Sequence, residues 1–231
     1  NLAQWGKVSL PGVKAAEYRL TANISGHLPV FTFCMCPGGV VVPATAYADT
    51  NIVNGMSRYR RNGHFANAAC VAGVNLESLL KKNVEPLEAL DWLNALERRF
   101  FSFAGGYQAP CSTISGFIDK KVSRSGFESS YPLGLTPAPL WEMLPGEIST
   151  SISLALELFK KKLKGFDSGN IIGLESKTSS PLQVIRDEKR RCQDFTNLYL
   201  AGEGSGWSGG IISSGVDGIR TALAIIENEA S

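Results

Sequence analysis

The stretch Ala201-Gly202-Glu203-Gly204-Ser205-Gly206, followed by Gly209-Gly210-Ile211, concentrates glycine where the chain leaves the apolar run Leu198-Tyr199-Leu200 and enters a helical pattern. Residues of that type in that order suit the binding of an anion or a cofactor ring. Glycine lets backbone N–H groups come close to a ligand, and the N-terminus of the following helix adds the positive end of its dipole. Gly202, Gly204, Gly209, Gly210 and Ile211 are therefore candidate backbone contacts. Glu203 is a candidate acceptor for sugar hydroxyls, because a carboxylate facing a diphosphate without a counter-charge is unfavourable. Lys177-Thr178-Ser179-Ser180 is a second polar turn, whose hydroxyls can meet a ligand or cap local backbone N–H groups. A glycine loop with a solvated glutamate is the plainer alternative, since a short glycine motif carries weight only in its structural context.

A second group of candidates lies nearer the N-terminus. Cys34-Met35-Cys36 on a β-prone run sends both thiols to one face of a strand, yet a C-x-C pair supplies only two ligands of a four-coordinate metal centre, and the chain has two histidines in all. Buried packing is the leading reading of these cysteines, with thiol redox chemistry as the minor one. Asn54-Gly55-Met56-Ser57-Arg58-Tyr59-Arg60 joins a turn-forming dipeptide to two guanidinium groups suited to a carboxylate or a phosphate. An exposed, salt-bridged loop fits the same residues. Lys177 and Arg186 are anion-facing only if they converge, and Arg186-Asp187 reads as an ion pair or a polar strand exit. His64 has the chemistry of a proton donor without a neighbouring acid in sequence. No residue emerges as a general acid or base.

Composition sets the frame for these groups. With 231 residues, 44% hydrophobic and 19% charged, the chain has the makeup of a globular protein large enough for one or two domains. A net charge of +2 gives no support to nucleic-acid binding, and Lys160-Lys161-Lys162 reads as the solvated end of a helix. Five cysteines make no even secreted framework, which favours the cytoplasm or another reducing compartment. No apolar run reaches the length needed to span a bilayer. The chain starts at Asn1 instead of Met, so a targeting segment ahead of it stays open.

The elements that must position these groups follow from pattern. Val30–Cys36 and Val40–Val42 read as two strands about a Pro37-Gly38-Gly39 turn, residues 51–63 as an exposed loop, and residues 65–74 as either strand or small-residue packing. Leucines at 87, 90, 93 and 96 predict a helix over 86–101 stopped by Gly105-Gly106. Residues 123–145 read as a long irregular connection. Ile152, Ala155, Leu156, Phe159 and Leu163 trace a second helix, capped by Ser149, Thr150 or Ser151 and ended by Gly165. Residues 170–175 and 182–186 read as strands, and a last helix starts near Gly210 with Ile211, Ile212, Val216, Ile219, Ala222, Ile225 and Ile226 as its buried surface.

Four segments taken in order go beyond generic pattern: Phe33-Cys34-Met35-Cys36-Pro37-Gly38-Gly39, Asn54-Gly55-Met56-Ser57, Glu175-Ser176-Lys177-Thr178-Ser179-Ser180-Pro181, and Ala201 through Ile211. Together they resemble the uncharacterised FAD-dependent dehydrogenases, with Gly116-Phe117 standing where that family tends to carry Asp-Phe. The resemblance implies a mixed α/β fold corresponding to the C-terminal portion of a flavoprotein. Residues 1–165 would be an inserted substrate-facing domain, and residues 166–231 the strand, turn and helix that return to the FAD-binding domain. It implies FAD contacts at Thr178, Ser179, Gly202, Glu203, Gly204, Gly209, Gly210 and Ile211, and a substrate side that includes Cys34, Cys36, Asn54, Met56 and Arg58. It also implies a separate N-terminal dinucleotide-binding segment, an unidentified small-molecule substrate and a nicotinamide electron donor. The parent would be an oxidoreductase and the isolated chain silent. A noncatalytic binding domain and a flavoprotein acting in RNA modification are the alternatives.

Overall fold

The computed structural model describes residues 19–229. It is mixed α/β, built from small sheets and, among the described residues, six helices, and it divides into two compact units. The first takes residues up to Asn83 and Trp92–Ser176; the second takes Val84–Asp91 and Lys177 onward. Residues 166–176 thus group with the first unit. No helix among the described residues is long and apolar enough to cross a membrane.

The first unit grows around its two long helices. In α2 (Pro86–Ala104) proline occupies the first helical position, where its missing N–H costs nothing, and Leu93, Glu97 and Phe100 form the buried stripe. Only the part of α2 from Trp92 onward belongs to this unit. In α5 (Gly146–Lys162) Ile148, Ile152, Ala155, Leu156 and Phe159 are buried along one face, and Lys160, Lys161 and Lys162 complement the carbonyls of the last turn. The expected serine cap is corrected: α5 begins directly after Pro145, without a side-chain cap. Ser149 and Ser151 lie buried inside it instead, where the Ser151 hydroxyl donates to Glu147 O at 2.8 Å and accepts the Leu28 N–H at 3.0 Å. Phe100, Phe117, Leu140, Leu156, Phe159 and Val30 make the centre of the core.

Around that core lie three small sheets. Strands β1 (Thr21–Ala22), β2 (Val30–Cys36) and β5 (Asn67–Ala72) form an antiparallel sheet in the order β1-β2-β5. Strands β3 (Val40–Pro43) and β4 (Val53–Met56) pair with each other. The two runs flanking Pro37-Gly38-Gly39 are strands as expected, but they enter different sheets, so the turn is a crossing point and not a hairpin. The expected exposed loop over 51–63 is likewise corrected: Asn51 and Val53 are buried, β4 occupies 53–56, and exposure is continuous only from Met56 to Asn62. In the third sheet β6 (Ala109–Thr113) pairs parallel with β7 (Leu135–Pro137) and antiparallel with β8 (Asn170–Ile172). Strand β7 and the short helix α4 (Leu140–Met143) also break up what reads in sequence as an irregular connection. The remaining short helices are α1 (Leu76–Leu80), capped by Asn75, and α3 (Ile114–Asp119), capped by Thr113.

The second unit has less regular structure. Residues 182–186 and 198–200 form no strand; their β-type pairing is an isolated bridge between Arg186 and Cys192, with the Cys192 N–H on Leu198 O at 2.8 Å. A 3-10 turn at Glu203–Ser205 then leads to α6 (Ile211–Glu229). The helix sits where expected, but its orientation reverses the expectation. Its buried residues are Asp217 and Thr221, whereas Ile212, Val216, Ile219, Leu223 and Ile226 form an exposed row at spacings of four and three. Ile211 is 92% exposed. A polar helix face is buried here because it is fully hydrogen-bonded, as the site shows.

Candidate functional site

The glycine turn is set by one carboxylate. Asp217 on α6 accepts from Arg186 Nη1 and Nη2 at 3.0 and 3.2 Å, from Arg190 Nη1 at 2.7 Å, and from the Gly202 N–H at 2.9 Å. Hydrogen bonding by the Arg186 guanidinium, against the opposing effect of burial, holds this carboxyl well below the usual carboxylate range, with Gly202 N–H and Arg190 assisting. Arg186 also donates to Leu200 O at 3.2 Å and lies 4.4 Å over the Trp207 ring, whose Nε1–H donates to Val184 O at 2.8 Å. Of the two readings of Arg186-Asp187, ion pair or polar strand exit, neither describes the pair: each residue pairs elsewhere, Arg186 with Asp217 and Asp187 with Arg191 at 2.9 Å, and no strand is formed there. Arg186 is committed to the Asp217 carboxylate and the turn.

The turn needs glycine for a physical reason. Gly206 has φ of +78°, and a Cβ there would overlap the Leu182 carbonyl. Ser205 is buried and donates to Gly202 O at 2.7 Å. Glu203, Gly204, Gly209 and Gly210 are exposed, and the space beside Gly204 is open. Ser179 packs at Gly209, 3.8 Å from where its Cβ would stand. At the start of α6 the Gly210 N–H donates to Ser213 Oγ at 3.1 Å and the Gly210 carbonyl accepts the Ser214 N–H at 2.8 Å. The first-turn amides of Ile211, Ile212 and Ser213 have no carbonyl to meet within the helix. Of the eight cofactor candidates, Gly202, Glu203 and Gly204 share this turn, Gly209, Gly210 and Ile211 share the helix start, and Ser179 adjoins them; Thr178 is exposed next to it. Sequence reading missed Asp217. Its signal was there, as the only charged residue between Ile211 and Ile219.

The other candidates gather in the first unit about Cys36. The expected same-face pair is corrected: β2 carries one extra residue against β5, the register stepping from Phe33↔Ala69 to Cys36↔Asn67. Cys34 is left exposed in the left-handed region at φ of +50°, and Cys36 is buried. Cys36 shares a hydrogen bond with the Ser57 hydroxyl, and burial raises its thiol pKa against the lowering effects of Ser57 and the Arg61 charge. Gly38, at φ of +60°, packs so closely on the Arg61 carbonyl that a Cβ would overlap it, and the Gly63 N–H donates to Gly38 O at 3.1 Å. That contact seats the 58–63 segment beside Cys36. Asn54, Met56 and Arg58 are exposed. His64 is exposed, with its ring edge-on to Phe65 at 4.7 Å. Both amide atoms of Asn67 are buried against Gly55 without a hydrogen-bond partner. Cys70 and Cys111 are pushed by burial up to about 12 and about 11, which makes them poor nucleophiles. Among the described residues no group of three or more His, Cys, Asp and Glu stands ready for a metal.

Glu175 joins the Cys36 group from the far end of the unit. The Leu174 carbonyl before it accepts the Val53 N–H at 2.8 Å, and Ser176 after it donates to Glu97 Oε1 at 2.6 Å. Burial pushes the Glu175 carboxyl up to about 7 from an ordinary value of 4.5. The folded chain therefore keeps this proton at pH values where the unfolded chain has released it, so stability falls as pH rises from about 4.5 to about 7 and is flat above. Urea midpoints measured between about pH 5 and pH 7.5 are expected to decline, and Glu175→Gln is expected to flatten the decline. An identical slope in the variant would put this carboxyl in water.

A family described as FAD-dependent protein, C-terminal domain-like matches residues 1–178. The chain belongs to this family. The matched span takes in the first unit with its Cys36 group and stops before the glycine turn. An uncharacterized protein of Clostridium beijerinckii is 37% identical over 235 residues, an alignment covering 98% of this chain and 44% of that protein. The chain thus spans less than half the length of this relative and aligns with it through the turn and α6 as well.

Proposed function

We propose that this chain is the C-terminal, flavin-holding part of an FAD-dependent oxidoreductase that exchanges a hydride with a small-molecule substrate. The observation that carries the reading is the exposed backbone of Gly209 and Gly210 at the start of α6, with Ser179 beside Gly209 and an exposed Gly204 in the preceding turn. These residues fit the group: glycine backbone without side-chain cover, unsatisfied helix amides and a nearby hydroxyl are what a diphosphate and a flavin pyrimidine edge require. Bound flavin supplies the redox chemistry. The turn Gly202–Gly206 would hold the diphosphate and ribityl region, with Glu203 accepting from hydroxyls. Gly209, Gly210 and Ile211 would favour negative charge at the pyrimidine edge through the helix dipole. Arg58, with Asn54 and Met56, offers an exposed surface suited to a carboxylate substrate. A nicotinamide is the proposed electron donor.

The proposed partner is a dinucleotide-binding segment from the rest of the longer protein. Two facts support it: the relative is more than twice as long as this chain, and α6 presents an uncovered apolar row. Such a row on a helix whose polar face is already buried calls for an apolar surface to pack against. Titration of the chain with FAD, following flavin fluorescence with ADP as competitor, tests the retained half of the site. Saturable quenching is expected, weakened at least about tenfold by Gly209→Leu, equivalent to about 1.4 kcal/mol. Binding that ignores Gly209→Leu and Gly210→Leu would displace the site from the helix start, and no binding at all would overturn the claim that this chain holds the flavin.

A further inference from the structure

The bulge in β2 gives the C-x-C pair a geometry that a regular strand denies it. In an unbroken strand the two Cβ atoms stand about 6.5–7 Å apart, well beyond the 3.5–4.5 Å a disulfide requires. Here the extra residue turns the chain at Cys34, which takes φ of +50°, and brings the Cys36 sulfur back to 3.2 Å from the Cys34 carbonyl oxygen, to which its thiol donates. The Cys36 sulfur therefore lies over the backbone of the residue it would bond to. Cys34 is exposed to a reagent, and Cys36 is buried behind it.

We propose that Cys34 and Cys36 form a dithiol–disulfide couple, with Cys34 as the attacking thiolate and Cys36 as the resolving thiol, acting on small disulfides. In the first step the Cys34 thiolate attacks one sulfur of the disulfide, forming a mixed disulfide and releasing one thiolate. That thiolate takes the Cys36 proton. The Cys36 sulfur then attacks Cys34 Sγ, and the second thiolate leaves. The protein loses two electrons and two protons, and the small disulfide is reduced to two thiols. Burial, with the Glu175 charge, raises the Cys36 thiol against the lowering effects of Ser57 and Arg61, which suits Cys36 to the resolving place behind the exposed Cys34.

The test is independent of flavin. Residues 20–57 contain no Lys or Arg, so both cysteines fall in one tryptic peptide that ends at Arg58, apart from Cys70, Cys111 and Cys192. The chain is equilibrated in mixtures of reduced and oxidised glutathione, quenched with an alkylating agent and mapped by mass spectrometry. The expected result is a peptide that loses two hydrogens, half-converted at a definite glutathione ratio and restored by reductant. Cys36→Ser is expected to stop at the glutathione adduct on Cys34, and Cys34→Ser to take up none. The wild-type map decides the matter even if a variant fails to fold. Two alkylated thiols at every ratio, accumulation of the Cys34 adduct in the wild type, or a bond from either cysteine to Cys70 would each overturn the couple.

Discussion

Asp217→Ala is expected to unlace the second unit. The substitution removes the acceptor shared by Arg186, Arg190 and the Gly202 N–H, three donors from two separate segments. Arg186 has a side chain only 5% exposed, so its charge has no ready route to water once the partner is gone. Breaking a buried pair from one side costs about 3 kcal/mol, or about two orders of magnitude in the folding equilibrium. Guanidinium chloride titration and amide hydrogen exchange over residues 182–206 are the measurements. The midpoint is expected to fall and Gly202 and Gly206 to lose protection together, with Asp217→Asn in between because it keeps shape but not charge. Unchanged exchange through the turn would mean that α6 does not set it. The same network carries a pH signature opposite to that of Glu175. The Asp217 carboxyl is depressed from its ordinary 3.8, so the stability it contributes is present above that pH and is lost as pH falls towards the folded-state value.

Phe159→Ala should cost more than any single change at the first unit's surface. The ring is fully buried on α5, meets Phe166 edge-on at 6.0 Å, and belongs to the cluster that holds Phe100, Phe117, Leu140 and Leu156. Truncation loses the transfer free energy of the ring and leaves a cavity that these neighbours fill only in part, about 4 kcal/mol in all. Urea titration is expected to show a lower midpoint with an unchanged slope. Phe159→Leu, which keeps most of the volume, is expected to lose about 1 kcal/mol and stands in if the alanine variant does not accumulate. A loss below about 1 kcal/mol for the alanine variant would move the centre of the core away from α5.

What could be read from the chain depended on how local the determining contacts were. Helices α2 and α5 were legible because Leu93 and Phe100, or Ile152, Ala155, Leu156 and Phe159, repeat at helical spacing and bury against their own unit. Helix α6 was legible as a helix and misread in orientation. Periodicity finds an apolar stripe but does not say whether this chain covers it, and here Asp217 and Thr221 take the buried side because Arg186 and Arg190 answer them. Residues 182–186 alternate like a strand, yet their backbone serves the glycine turn, with Val184 N–H on Ser205 O at 2.9 Å. The bulge that buries Cys36 and leaves Cys34 exposed is set against Asn67 across the sheet, far along the chain from anything C-x-C spacing can report. The glycine turn itself was plain in sequence, since Gly202 and Gly206 hold backbone angles that other residues rarely adopt.

The hydrogen bond from Gly202 to Asp217 runs backward along the chain, from a turn to a helix made fifteen residues later. The turn is thus held by a residue that is added to the chain after it. Until Asp217 is in place, the Arg186 and Arg190 guanidiniums and the Gly202 N–H lack the acceptor they share. Helix α6 therefore acts as the template on which the turn is cast, and any cofactor bound by that turn can be held only once α6 has docked.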